Sequence, residues 1–176
     1  MTARVLVAGV GNIFLGDDGF GSEVARRLLK EEAAALPEGV RVVDYGIRGV
    51  HLAYDLLEGY DALVVVDAVP AVNRKAAPGT VRVVEVTAED LGEGGMDAHG
   101  MDPAAVLAGL GSLGGALPRT YVVGCVPAVL DEGMGLSPVV TASVEAATAA
   151  VRSLVQMLAS TDVGTARPPR AAGKES

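Results

Sequence analysis

Residues 4–12 read Arg4-Val5-Leu6-Val7-Ala8-Gly9-Val10-Gly11-Asn12, a short apolar run that stops at a glycine turn. An apolar run without alternation is how a strand covered on both faces reads, and a parallel sheet flanked by helices is where such strands occur. A helix should follow. Phe20, Val24 and Leu28 recur every four residues while Arg26, Arg27, Lys30, Glu31 and Glu32 lie off that line, which predicts an amphipathic helix ending near Leu36-Pro37.

Further along, Val40–Asp44 reads as a second strand, His51–Leu57 as a short helix, and Ala62–Val66, closed by Asp67, as a third strand apolar enough for the centre of a sheet. Only the stretch 68–79, with Pro70 and Pro78, separates this strand from the next strand-like run, Thr80–Val86. That is short for a helical crossover, so the fourth strand is expected at an edge and antiparallel. Thr120–Val126 is the fifth strand. Ser137-Pro138 predicts a last helix with Ser as its cap and Pro in its first turn. Val140, Val144, Ala147, Val151, Leu154, Val155 and Leu158 keep the helical period, which lays that helix flat across the sheet. The predicted fold class is α/β, a three-layer sandwich around a mostly parallel five-stranded sheet with one antiparallel edge strand. It forms a single domain over 1–160, followed by a disordered tail over 161–176, where the pattern gives way to Gly, Pro and scattered charge.

A chain of 176 residues is one domain's length, and half of it is hydrophobic. Lys and Arg total 14 against 22 Asp and Glu, a formal charge of −8, which argues against nucleic acid as a partner. Aromatics are 3% with no Trp, so base-stacking platforms are poorly supplied. One cysteine, Cys125, cannot form an internal disulfide, and residues 1–4 lead straight into a strand. No signal segment or membrane-length apolar run is expected, and the chain reads as cytoplasmic. No heptad or large apolar stripe asks for an oligomer, so a monomer is expected.

Gly9-Val10-Gly11 resembles the start of a dinucleotide fingerprint, but Phe14 stands where the third glycine belongs. Asp17 and Asp18 would also repel a pyrophosphate at the following helix. What remains is a set of acids at strand ends: Asp17 and Asp18 after the first strand, Asp44 after the second, and Asp67 after the third. Each has a plain structural reading. Asp17 or Asp18 suits a helix cap, and Asp44 and Asp67 suit turn amides. His99 lies in a glycine-rich stretch, Gly92–Gly115, with eight glycines in 24 positions around a short helix beginning Asp102-Pro103. His51 has no acidic neighbour in sequence and ranks lower. Two carboxylates and an imidazole together make an open three-ligand set suited to Zn²⁺, Ni²⁺ or another borderline metal. Cys125, among Val and Gly, reads as a small hydrophobe rather than a nucleophile.

The segment Gly9-Val10-Gly11-Asn12-Ile13-Phe14-Leu15-Gly16-Asp17-Asp18-Gly19-Phe20-Gly21 resembles the amino-terminal signature of the nickel-iron hydrogenase maturation endopeptidases. Asp67-Ala68 after an apolar strand, His99 in its loop, and Gly135-Leu136-Ser137-Pro138 before the last helix follow in the order that family shows. The resemblance covers roughly residues 4–158. It implies an endopeptidase that removes a carboxy-terminal extension from the precursor of a hydrogenase large subunit, its partner. It also implies that Asp18, Asp67 and His99 are both the metal-binding and the catalytic set. Nickel is the implied metal, supplied by the substrate, with cadmium or zinc as possible substitutes. Asp44 matches the family's strand-two acid. Many members continue Gly-Gly-Thr where this chain reads Tyr45-Gly46-Ile47-Arg48-Gly49, and Asp44 and Arg48 are the substrate-binding candidates, bearing on the hydrogenase subtype served.

Two carboxylates and one histidine bind nickel too weakly to strip it from thiolates, yet can add ligands to nickel the substrate holds. The glycine density suggests that Gly92–Gly100 closes over the substrate and brings His99 to that metal. Two rivals stand beside this reading. One is a metal-dependent hydrolase of small molecules using the same ligands; the other is a non-enzymatic module that binds the nickel-loaded precursor without cutting it.

Overall fold

Five strands form one mixed sheet in the order β2-β1-β3-β5-β4, seen in a computed structural model that describes residues 2–31, 36–71, 75–91 and 103–160. The strands are β1 (Val5–Val10), β2 (Val40–Gly46), β3 (Ala62–Ala68), β4 (Val81–Val86) and β5 (Arg119–Cys125). β1 pairs in parallel with β2 and β3, and β3 with β5. β4 runs antiparallel to β5 at the edge, as its short connection requires. The helices are α1 (Phe20–Lys30), α2 (Gly49–Leu56), α3 (Pro103–Ala108), α4 (Pro138–Thr141) and α5 (Val144–Ser160).

Alternation along the strands sorts the core into two layers. Val5 and Val7 of β1, Val64 and Val66 of β3, and Val123 of β5 point to one face, where Phe20, Val24 and Leu28 of α1 and Val144, Ala147, Val151 and Val155 of α5 cover them. Leu6, Ala8, Leu63 and Val65 point to the other, under Leu52, Ala53 and Leu56 of α2 and Leu107 of α3. The predicted three-layer α/β sandwich is therefore the observed one.

Three expectations need correction. The first helix ends at Lys30, short of Leu36-Pro37, where Glu31 turns to an extended conformation. The last helix is two, α4 and α5, interrupted at Ala142-Ser143, where Ser143 Oγ is turned toward the Gly79 carbonyl at 2.6 Å. Ser137 stands before Pro138 but makes no side-chain cap. Residues 92–102, which include His99 and Asp102, and the tail 161–176 lie outside the described residues. Among the described residues no helix is long and apolar enough to cross a membrane.

The amino end of α1 sits hard against the carboxyl ends of β1 and β3. A methyl group on Gly9 would lie 2.4 Å from the Gly21 carbonyl oxygen, and one on Gly21 would lie 2.1 Å from that of Val66. These glycines serve helix-on-sheet contact rather than a phosphate, and they put the start of α1 over the edge where parallel sheets carry their sites.

Candidate active site

The backbone leaving β1 is arranged around Gly11. Its φ of +126° favours glycine, and its amide donates to the Gly46 carbonyl at the end of β2 (2.9 Å). A methyl group at this position would meet the Asp18 carbonyl oxygen at 2.0 Å and Asp67 Oδ1 at 3.5 Å. The Asp18 backbone carbonyl and the Asp67 side chain, predicted at the ends of the first and third strands, thus lie beside one glycine at the carboxyl edge of the sheet.

Asp18 lies in a 3-10 turn, Gly16–Gly19, that leads into α1. It does not cap that helix. Its half-buried carboxylate turns back and accepts the Asn12 amide (2.7 Å). Asp67 is carried by β3 itself, opposite Gly124 of β5, with its Oδ1 shielded from solvent. It lines an apolar cleft of about 290 Å³ between the sheet and α3, with Val69, Pro70, Leu91 and Leu107 among the walls.

Asp17 is not a cap either. It is fully buried, and its carboxylate accepts the amides of Ala128 (2.8 Å), Val129 (2.9 Å) and Ser137 (2.7 Å) and the Ser137 hydroxyl (2.9 Å). Burial alone would raise its pKa, but the amides of Ser137, Val129 and Ala128 and the Ser137 hydroxyl together hold it below the usual carboxylate range. Four donors converge on this carboxylate, whereas that of its neighbour Asp18 accepts the Asn12 amide.

Asp44 and Arg48 meet at the end of β2. Asp44 Oδ1 accepts the Ser22 hydroxyl (2.7 Å) and the Gly46 amide (3.2 Å). The Arg48 guanidinium folds back on the carbonyls of Asp44 (2.6 Å) and Tyr45 (3.1 Å). Both residues line a cleft of about 370 Å³ with Gly11, Asn12, Ile13 and Phe14. An adjoining groove of about 580 Å³ shares Ile13, Ser22 and Asp44 and continues past Glu23, Arg26 and Arg27 of α1 to Met134 and Leu136. Phe14 is 60% exposed and Met134 73%, on segments joined by the Gly133 amide and the Phe14 carbonyl (2.8 Å), so an apolar rim faces solvent beside the turn.

The sequence model of the hydrogenase maturation protease family, HycI, matches residues 23–154. The hydrogenase 2 maturation protease of Escherichia coli K12 is 35% identical over 147 residues, covering 82% of this chain and 85% of that protein. The hydrogenase expression/formation protein HupD of Rhodobacter capsulatus is 36% identical over 153 residues, 86% of this chain and 71% of that protein. Among solved structures, the hydrogenase maturating endopeptidase HybD from E. coli superposes with a TM-score of 0.73 at 30% identity, covering 88% of this chain and 93% of that one. The chain belongs to the hydrogenase maturation proteases.

In this protease the described residues bring Asp18 and Asp67 together about Gly11 and set Asp44 and Arg48 in the adjoining cleft. His99, the third member of the expected set, lies outside the described residues. Among the described residues no group of three His, Cys, Asp or Glu side chains is placed to hold a metal ion. Cys125 is buried in β5, and burial pushes its thiol up from the ordinary value, as suits a packed hydrophobe.

Sequence reasoning missed the role of Asp17 and the second half of its partnership, Ala128, Val129 and Ser137. Two adjacent acids look alike in a sequence. The distinguishing partners lie 111 to 120 residues away, and only Ser137-Pro138, a cap whose hydroxyl is used elsewhere, hinted at them.

Proposed function

We propose that this protease cuts the carboxy-terminal extension from the precursor of a nickel-iron hydrogenase large subunit, in the cytoplasm and as a monomer, once that precursor carries nickel. The observation that carries the proposal is that Asp18 and Asp67 both lie beside Gly11 in a chain of this family. Nickel arrives as part of the substrate. Asp18 and Asp67, with His99, add weak ligands to it and so sense that it is present. A nickel ion beside the scissile carbonyl would polarise that bond, and an acid of the pair would take the proton of the attacking water. Cadmium or zinc would occupy the same donors. Asp44 and Arg48 contact the precursor from the adjoining cleft, and the exposed Phe14 and Met134 suit a protein surface better than a small metabolite.

Intact-mass analysis of nickel-loaded and nickel-free precursor, with and without the protease, tests this. Loss of a carboxy-terminal fragment from the nickel-loaded form alone is the expected result. Cleavage of both forms alike would remove the nickel gate, and cleavage of neither, across precursors of several hydrogenase subtypes, would overturn the substrate.

A further inference from the structure

We propose that Asp17 is a positioning residue: its buried carboxylate clasps residues 128–137 to the turn after β1 and thereby aims Asp18. The inference rests on the reading of Asp18 as a reacting group. Two segments far apart in sequence are joined at this place, and neither contributes a strand to the sheet. Three backbone bonds join them, from Gly16 to the Gly133 carbonyl (2.9 Å), from Asp17 to that of Val129 (2.8 Å), and from Gly133 to that of Phe14 (2.8 Å). Four more converge on the Asp17 carboxylate, from three amides and one hydroxyl.

The geometry makes the clasp specific to a carboxylate. All four groups facing it are used as donors, and only an acceptor with two oxygens can take them all. An amide in its place presents N–H to at least one of those donors, leaving a buried pair of donors face to face. The consequence passes to the next residue, because Asp18 stands in the same 3-10 turn, Gly16–Gly19, between Asp17 and the start of α1. Its own backbone amide donates to the Leu15 carbonyl (3.2 Å), and its carboxylate finds the Asn12 amide only while the turn keeps its shape. Asp17 therefore acts on the chemistry through Asp18 and touches no substrate itself.

The Asn12 amide is the reporter. A hydrogen bond to a carboxylate moves an amide resonance downfield and slows its exchange. In Asp17→Asn, observed well below its melting temperature, the Asn12 resonance should move upfield and its exchange quicken at least tenfold, while the amides of β1 and β3 keep wild-type protection. Turnover of nickel-loaded precursor should fall tenfold or more. Ser137→Ala, which removes one of the four donors, should give the same changes in smaller measure, and Ser137→Thr, which keeps the hydroxyl, should restore them. Should Asp17→Asn not fold, the Ser137 pair decides the matter. An unchanged Asn12 amide in folded Asp17→Asn, or in Ser137→Ala, would overturn the proposal. The amide measurement uses the free protein, so a wild-type chain that cuts no precursor would defeat the functional reading and leave the test of Asp17 standing.

Discussion

The two acids beside Gly11 rest on backbone of opposite kinds. Asp67 belongs to a strand, paired opposite Gly124 within a parallel ladder and fixed by the sheet that carries it. Asp18 belongs to a 3-10 turn outside the sheet, and that turn is held by bonds to residues 128–137, most of them through the Asp17 side chain. The proposed pair of carboxylates thus draws one from the most regular part of the molecule and one from an irregular turn tied down through a buried carboxylate.

That contrast can be broken first at the acids themselves. Asp67→Asn and Asp18→Asn should each lower turnover of the nickel-loaded precursor by about a thousandfold, while thermal melts of the two variants stay close to wild type. A collapse of either melt would mean that the side chain is structural. Gly11→Ala and Gly124→Ala then compare the two backbones beside those acids. At Gly11 the added methyl meets the Asp18 carbonyl at a positive φ, and strain plus overlap should cost about 3 kcal/mol in denaturant melts. At Gly124 the tight contact is with the exposed Val69 side chain at 2.9 Å, which can yield, so about 1 kcal/mol is expected. Equal costs would erase the distinction between strand and turn.

A third comparison uses β2. The buried Tyr45 hydroxyl donates to Asp55 Oδ2 at 2.5 Å, and Tyr45→Phe should lose about 2 kcal/mol. Burial, then the bond to Asp55 and its charge, raise the pKa of this phenol above its ordinary value. A raised folded value means that the contribution is complete below the unfolded pKa of about 10 and is lost as pH rises from there through the folded value. The stability gap between wild type and Tyr45→Phe should therefore stay level from pH 7 to about 10 and narrow only above it, as urea melts across that range would show. The smallest effect belongs to the exposed Arg26–Glu23 pair on α1, at 3.1 Å. Glu23→Gln should change stability by about 0.5 kcal/mol or less, although the groove it lines gives it a place where loss of precursor affinity would be noticed.

What could be read from the sequence follows the same division. Strand periodicity marked β1, β2, β3 and β5, and the twelve-residue spacing before β4 was enough to turn that strand antiparallel. The strand-end positions of Asp67 and Asp44 are legible because a strand end is a definite place. The end of α1 is not legible, because Pro37 marks a stop that lies beyond the extended Glu31. The last helix was read as one because a break at Ala142-Ser143 leaves the apolar period intact. Asp17 was the least legible, since its partners are set by tertiary folding alone, and Ser137 misled by offering a local cap that the folded chain spends on Asp17 instead.

Single-turnover cleavage of nickel-loaded precursor by wild type, Asp18→Asn, Asp67→Asn and the double variant tests the central claim most directly. If the two acids act as one unit about the substrate's nickel, each single variant should lose nearly as much as the double, with losses far from additive. Cleavage at the wild-type rate by either single variant would contradict the account.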